Sequence, residues 1–229
     1  MPAHLQREID ILKKQIRSLG VTVEDSVSRA VEAFENRDAA LARDVINDDE
    51  RIDRSEVAVE EECLKIIALY QPVAMDLRFI IAILKINSDL ERIGDIAVNI
   101  AERAAVLATQ PRLAISISFV EMAKKARLMV IKSLDALVNM NPELARQICA
   151  DDDEVDAINK EMFERVQATI KRHPENVESL VQLLSISRQL ERMADHTTNI
   201  AEDIIYMIEG EIVRHRHEEC APHTPSTEK

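Results

Sequence analysis

At 229 residues and 46% hydrophobic content the chain can bury one or two cores, and three glycines, no Trp and 3% aromatics favour helix over strand. Its formal charge of −13 excludes a surface built to neutralise nucleic-acid phosphates, which needs clustered Lys and Arg, and points to cations or basic protein patches as partners. The longest apolar run, FIIAIL at 79–84, is far shorter than the roughly 20 residues that cross a bilayer.

The first segment places Leu5, Ile9, Leu12, Ile16, Leu19, Val23, Val27, Ala30 and Phe34 three and four residues apart, which is the seam of one long helix. A polar break at 36–38 ends it. A second helix is expected through Val45, Ile52, Val59 and Ile66 until Pro72 removes an amide. A third carries Ile83, Ile86, Leu90, Ile93, Ala97, Ile100 and Ala104 and stops before Pro111.

The second half repeats the plan: a helix over about 112–140, an Asn141-Pro142 start, a helix to about His173-Pro174, and a last helix to about Gly210. The expected fold is all-α, two tandem antiparallel three-helix bundles at 1–110 and 111–213, followed by a disordered tail at 214–229. That tail holds His215, His217, Cys220 and His223, which could scavenge soft metals adventitiously. The three cysteines, Cys63, Cys149 and Cys220, lack a C-x-x-C pair, and the N-terminus lacks the apolar core of a secretory signal, so a cytoplasmic setting is expected.

The repeat is explicit. LERIGDIAVNIAE at 90–102 returns as LERMADHTTNIAE at 190–202, with eight of thirteen letters unchanged. At 100° per residue, Glu91, Asp95 and Glu102 fall within about 40° of one another, with Asn99 about 80° from Glu91, on a face turned from the apolar seam. Glu191, Asp195, Glu202 and Asn199 follow the same register, and the preceding helices add Asp49 with Asp53 and Asp152 with Asp156. Like charges four apart cost a helix about 0.2–0.5 kcal/mol per pair, which solvent or a bound cation must offset.

Carboxylates are hard ligands suited to Mg, Mn, Ca or iron, and without Cys or His between the pairs a structural zinc site is disfavoured. An exposed acidic pair is ordinarily just solvated, but here the same acids return in register while Ile96, Ala97 and Val98 drift to His196, Thr197 and Thr198. His196 could supplement the second site, although a lone helical His is more often a surface residue. The Glu-x-x-His pairs of a di-iron enzyme are absent from these helices, as are phosphate loops, nucleophile elbows and H-E-x-x-H.

These runs, with QPVAMDLRFIIAILKINSDLERIGDIAVNIAE at 71–102, closely resemble the PhoU family of regulators of bacterial phosphate-specific transport. The resemblance implies two similar three-helix bundles that hold divalent or multinuclear metal clusters, iron above all, with Mn, Mg or Zn as alternatives. By position the ligands would be Asp49, Asp53, Glu91 and Asp95, then Asp152, Asp156, Glu191 and Asp195. It further implies a non-catalytic adaptor that restrains the phosphate-starvation response. The adaptor would link the ATPase subunit of a phosphate ABC transporter to a sensor histidine kinase, meet the membrane only through them, and tend to self-associate. A carboxylate-bridged metalloenzyme and a purely structural scaffold are the competing expectations.

Overall fold

A computed structural model describes residues 3–113 and 119–213, so the histidine-bearing tail expected at 214–229 lies outside the described residues. Among the described residues there are seven α-helices and no strand. The first, α1 (Ala3–Asn36), buries every apolar residue of the predicted seam from Leu5 to Ala30, while Phe34 is partly buried against the core. It stops where Arg37 adopts a left-handed φ of 55° and the Asp38 carboxylate accepts from the amides of Ala40 and Leu41, capping the next helix. The Arg37 guanidinium donates to the carbonyls of Leu107 and Gln110, both at 2.8 Å, and so satisfies orphan acceptors at the far end of α4.

The single second helix expected from sequence is two: α2 (Ala39–Asp48) and α3 (Glu50–Tyr70), with the chain bending at Asp49. Asp49 keeps right-handed angles, and its carbonyl still accepts from Ile52 at 2.8 Å and Asp53 at 3.2 Å, so the two helices join at a single residue without an intervening loop. Arg29 of α1 holds Asp48 at 2.7 Å beside the bend. The matching DDDE run at 151–154 passes through its helix unbroken, so the acidic run alone does not cause the bend.

After a left-handed Gln71 and Pro72, α4 (Ala74–Ala108) runs through the centre of the molecule, with Ile80, Ile83, Ile86, Leu90, Ile93 and Ile100 inaccessible to solvent. The second half begins later than its sequence pattern implies. Helix α5 (Val120–Asn139) starts well beyond residue 112, because the chain leaves α4 through Pro111, and Arg112 and Leu113 are not helical. Helix α6 (Pro142–Arg172) starts as expected: the Asn141 side chain accepts from the Leu144 amide, and Pro142 takes the first turn, where no amide partner is needed. A short 3-10 turn (Pro174–Asn176) leads into α7 (Val177–Glu209), which ends at a left-handed Gly210.

Two three-rod bundles thus form, α1 with α2–α3 and α4, and α5 with α6 and α7. They share one continuous apolar core. The longest seam between them is α4 against α7. It is antiparallel, since Lys85 meets Asp203 at 3.3 Å while Arg103 Nε donates to Ser185 Oγ at 3.4 Å. Each pair is the repeat image of the other, because α4 positions recur in α7 one hundred residues later, so the seam has an approximate two-fold axis.

One packing detail sets how closely α3 approaches α4. A methyl placed on Gly94 would lie 3.0 Å from Ile52 Cδ1 and 3.1 Å from Ile52 Cγ2, tighter than ordinary van der Waals contact. The repeat counterparts are Val155 and Ala194, both fully buried, so one methylene-sized unit has moved across the contact while the side-chain carbon total is kept. We expect Gly94→Ala to cost about 1 kcal/mol, the helix-propensity gain being outweighed by overpacking, and Ile52→Val to cost about 1 kcal/mol as a cavity. In denaturant unfolding the double variant should be more stable than the sum of the singles by about 1 kcal/mol; strict additivity would show that these side chains do not compete for space.

Candidate metal centre

Asp49 at the α2–α3 bend and Asp53 one turn on stand over the buried Ile52, and Glu91 and Asp95 flank Gly94 on α4. The close helix approach therefore brings the two acidic pairs to one side. The Asp49 carboxyl is pushed up by burial and then by Asp53 and Asp95, the latter on the other helix. Glu91 is likewise raised by burial and by Asp95, against a lowering by Arg92, with Glu56 and Asp53 of α3 adding to the rise. Asp49 Oδ1 is buried with no hydrogen-bond partner. Arg92, 3.6 Å from a carboxylate oxygen of both Glu91 and Asp95, partly balances the charge.

The second half repeats this arrangement more strongly. Burial, then Asp195, Asp156, Asp153 and Glu191, push the Asp152 carboxyl up to about 7. Asp152 Oδ1 is again buried without a partner. Glu191 is raised by burial, then by Asp195 and Asp156. Asp195 is raised by desolvation and by Asp156, with His196 and Arg192 opposing, although the residue as a whole is exposed. The carboxylates of each half thus act on one another across two helices, Asp49, Asp53, Glu91 and Asp95 in the first and Asp152, Asp156, Glu191 and Asp195 in the second.

Other expectations need correction. Glu102 is exposed and pairs with Arg103 at 3.3 Å, while Glu202 is buried beside Lys85, Asp203 and Tyr206, so neither joins its set and the two do not share an environment. Helical angle alone could not separate them, because the α4–α7 seam buries one and not the other. His196 turns from the acids to Asp89 of α4, Nδ1 to Oδ1 at 2.8 Å, where Asn199 also reaches at 3.4 Å. The mirror positions are Ile96 and Gln189, so this contact belongs to one half only.

Sequence reasoning missed a buried bridge one turn away from the acids. Asn87 Nδ2 donates to the Glu56 carbonyl and to Glu56 Oε1, both at 3.0 Å, and in the second half Ser187 Oγ donates to Asn159 Oδ1 at 2.6 Å. These pairs tie α3 to α4 and α6 to α7. The signal was a polar residue at a core position, Asn87 four residues before Glu91 and Ser187 four before Glu191.

Oxygen-only donors with an orphaned buried oxygen in each half suit a hard cation. Among the described residues, no three His, Cys, Asp or Glu side chains are already grouped as a set that could hold an ion, so a bound cation would require the carboxylates to turn inward.

The description "PhoU domain" matches residues 16–104 and again 119–204, once for each half. The chain belongs to the PhoU family. It is 38% identical over 213 residues to the phosphate-specific transport system accessory protein PhoU homolog of Aquifex aeolicus, covering 93% of this chain and 96% of that one. The homolog of Rhizobium meliloti is 36% identical over 205 residues, 89% and 86% of the two chains. The crystal structure of PhoU from Pseudomonas aeruginosa superposes with a TM-score of 0.88 at 33% identity, over 90% of this chain and 99% of that one. That of the phosphate transport system regulatory protein PhoU from Streptococcus pneumoniae gives 0.84 at 30% identity, over 91% and 99%. Among the described residues no helix is long and apolar enough to cross a membrane.

The Asp152 shift sets a pH dependence for the ion-free protein. Burial lifts its pKa from the ordinary carboxylate value of 3.8 to about 7, so the folded state holds the proton more tightly and loses stability as pH rises between those values. Allowing for solvent screening, Asp152→Asn should be about 1–2 kcal/mol more stable than the parent at pH 8 in chelator, and nearly equal to it at pH 4. Chemical denaturation at both values checks this; a variant that is less stable at pH 8 would show the carboxylate is not strained there.

Proposed function

We propose that this protein is an accessory regulator of phosphate transport. It acts at the cytoplasmic face of the membrane by joining the ATPase subunit of a phosphate ABC transporter to a phosphate-sensing histidine kinase, and it restrains the starvation response when phosphate is plentiful. The observation that carries this reading is the nearly end-to-end correspondence with relatives named as accessory and regulatory proteins of phosphate transport. The protein would work by contact and not by catalysis. Its surface supports that role: at the α3–α4 turn Leu69, Val73 and Met75 are 68%, 73% and 71% exposed and form an apolar tip.

Asp49, Asp53, Glu91 and Asp95 would hold metal in the first half, and Asp152, Asp156, Glu191 and Asp195 in the second. Iron, manganese and magnesium suit these oxygen donors better than zinc does. A bound ion would supply the positive charge that cancels carboxylate repulsion, stiffening the α3–α4 and α6–α7 contacts that present the partner surfaces. Self-association through the same faces is consistent with this role.

Metal analysis of purified protein should find more bound divalent ion in wild type than in an Asp95→Ala, Asp195→Ala double variant; equal contents would leave the acids merely solvated. Deleting the gene should switch on phosphate-starvation genes in phosphate-rich medium, and affinity capture should recover the transporter ATPase and the kinase. Unchanged expression together with failed capture would overturn the regulatory reading whatever the metal content.

A further inference from the structure

We propose that the cavity between α1, α4 and the end of α5 binds a small amphiphilic anion, an apolar body of about eight carbons that carries a phosphate or carboxylate head. The cavity measures about 260 Å³. Its floor is apolar, formed by Ile16 and Ile83, which are buried, together with Phe79 and Leu137. Its rim is basic. Lys13, Lys14 and Arg17 all line it from one turn of α1, and no acidic residue does.

That rim is unusual in a chain of net charge −13. Spacings of three and four put the cations side by side, a repulsive arrangement, and Asp10, the carboxylate at helical spacing from both lysines, accepts from Gln6 Nε2 at 3.0 Å instead. Among the described residues none of the three has an ion-pair partner, although thirteen Lys or Arg ion pairs form elsewhere. Lys13 instead holds its ammonium 5.4 Å from the centre of the Phe79 ring, over the apolar floor.

The two features select the ligand together. A bare inorganic anion would meet only exposed cations, each worth little in water. A neutral apolar molecule would gain the floor and leave the cations unanswered. A molecule with both parts uses both, and the volume sits near the lower end of small-molecule sites, about 300 Å³. The lining comes from both halves of the chain, α1 and α4 from the first and α5 with Met140 from the second, so an occupant would join the bundles where they meet.

Isothermal titration with n-octyl phosphate and with octanoate distinguishes the two possible heads. One or both should bind at one site per chain with a Kd on the order of 100 µM at low salt. A Lys13→Gln, Arg17→Gln double variant should weaken binding at least about fivefold, as should replacing the ligand by uncharged n-octyl glucoside. Inorganic phosphate should give no saturable heat in the same range. Both altered residues are exposed, so the variant should keep its helical circular dichroism; should it unfold, Val138→Trp at the half-exposed rim, which fills the mouth, must abolish binding instead. No saturable binding of either amphiphile, undiminished binding in the folded variants, or equal binding of the glucoside would overturn the proposal.

Discussion

The contact of α3 with α4 beneath the carboxylates governs the molecule. Ile52 lies against the bare backbone of Gly94, and this closeness brings four acids of two helices to one side of the bundle. The like charges push the helices apart while the apolar contact below them draws the helices together. Burial wins in the ion-free fold, and its cost appears in the upward titration of Asp49, Glu91, Asp152 and Asp195, raised first by desolvation and then by the neighbouring carboxylates. The bridges from Asn87 to Glu56 and from Ser187 to Asn159 reinforce the attraction one turn away.

The α4–α7 seam does a different task. It is the axis on which two copies of one motif pack, and its polar contacts record how far the copies have diverged. Lys85–Asp203 and Arg103–Ser185 are images of one another, yet only one is an ion pair. Asp89 grips His196, while its image Gln189 keeps a buried oxygen without a partner. Retention of the acids in both copies while residues of that seam diverge fits a role other than packing.

Charge and shape are therefore divided by region. The acids gather over the α3–α4 and α6–α7 contacts, apolar side chains emerge at the α3–α4 turn, and a small basic rim stands on α1. Cys63, fully buried with its thiol pushed up to about 12, belongs to the core and not to any such surface.

The sequence by itself determined the helical class, the duplicated plan and the eight acids, because apolar spacing and repeat register are one-dimensional and survive being read along the chain. The Asn141-Pro142 start was legible for the same reason, since a cap is a local interaction. The break at Asp49 and the separation of Glu202 from Glu102 were decided only by tertiary structure. Each depends on which neighbour covers a given side chain, and helical angle says which way a residue points but not what stands opposite. The Gly94–Ile52 contact, on which the acidic centre rests, is of that kind: its two partners lie on different helices, and their complementarity exists only where the helices cross.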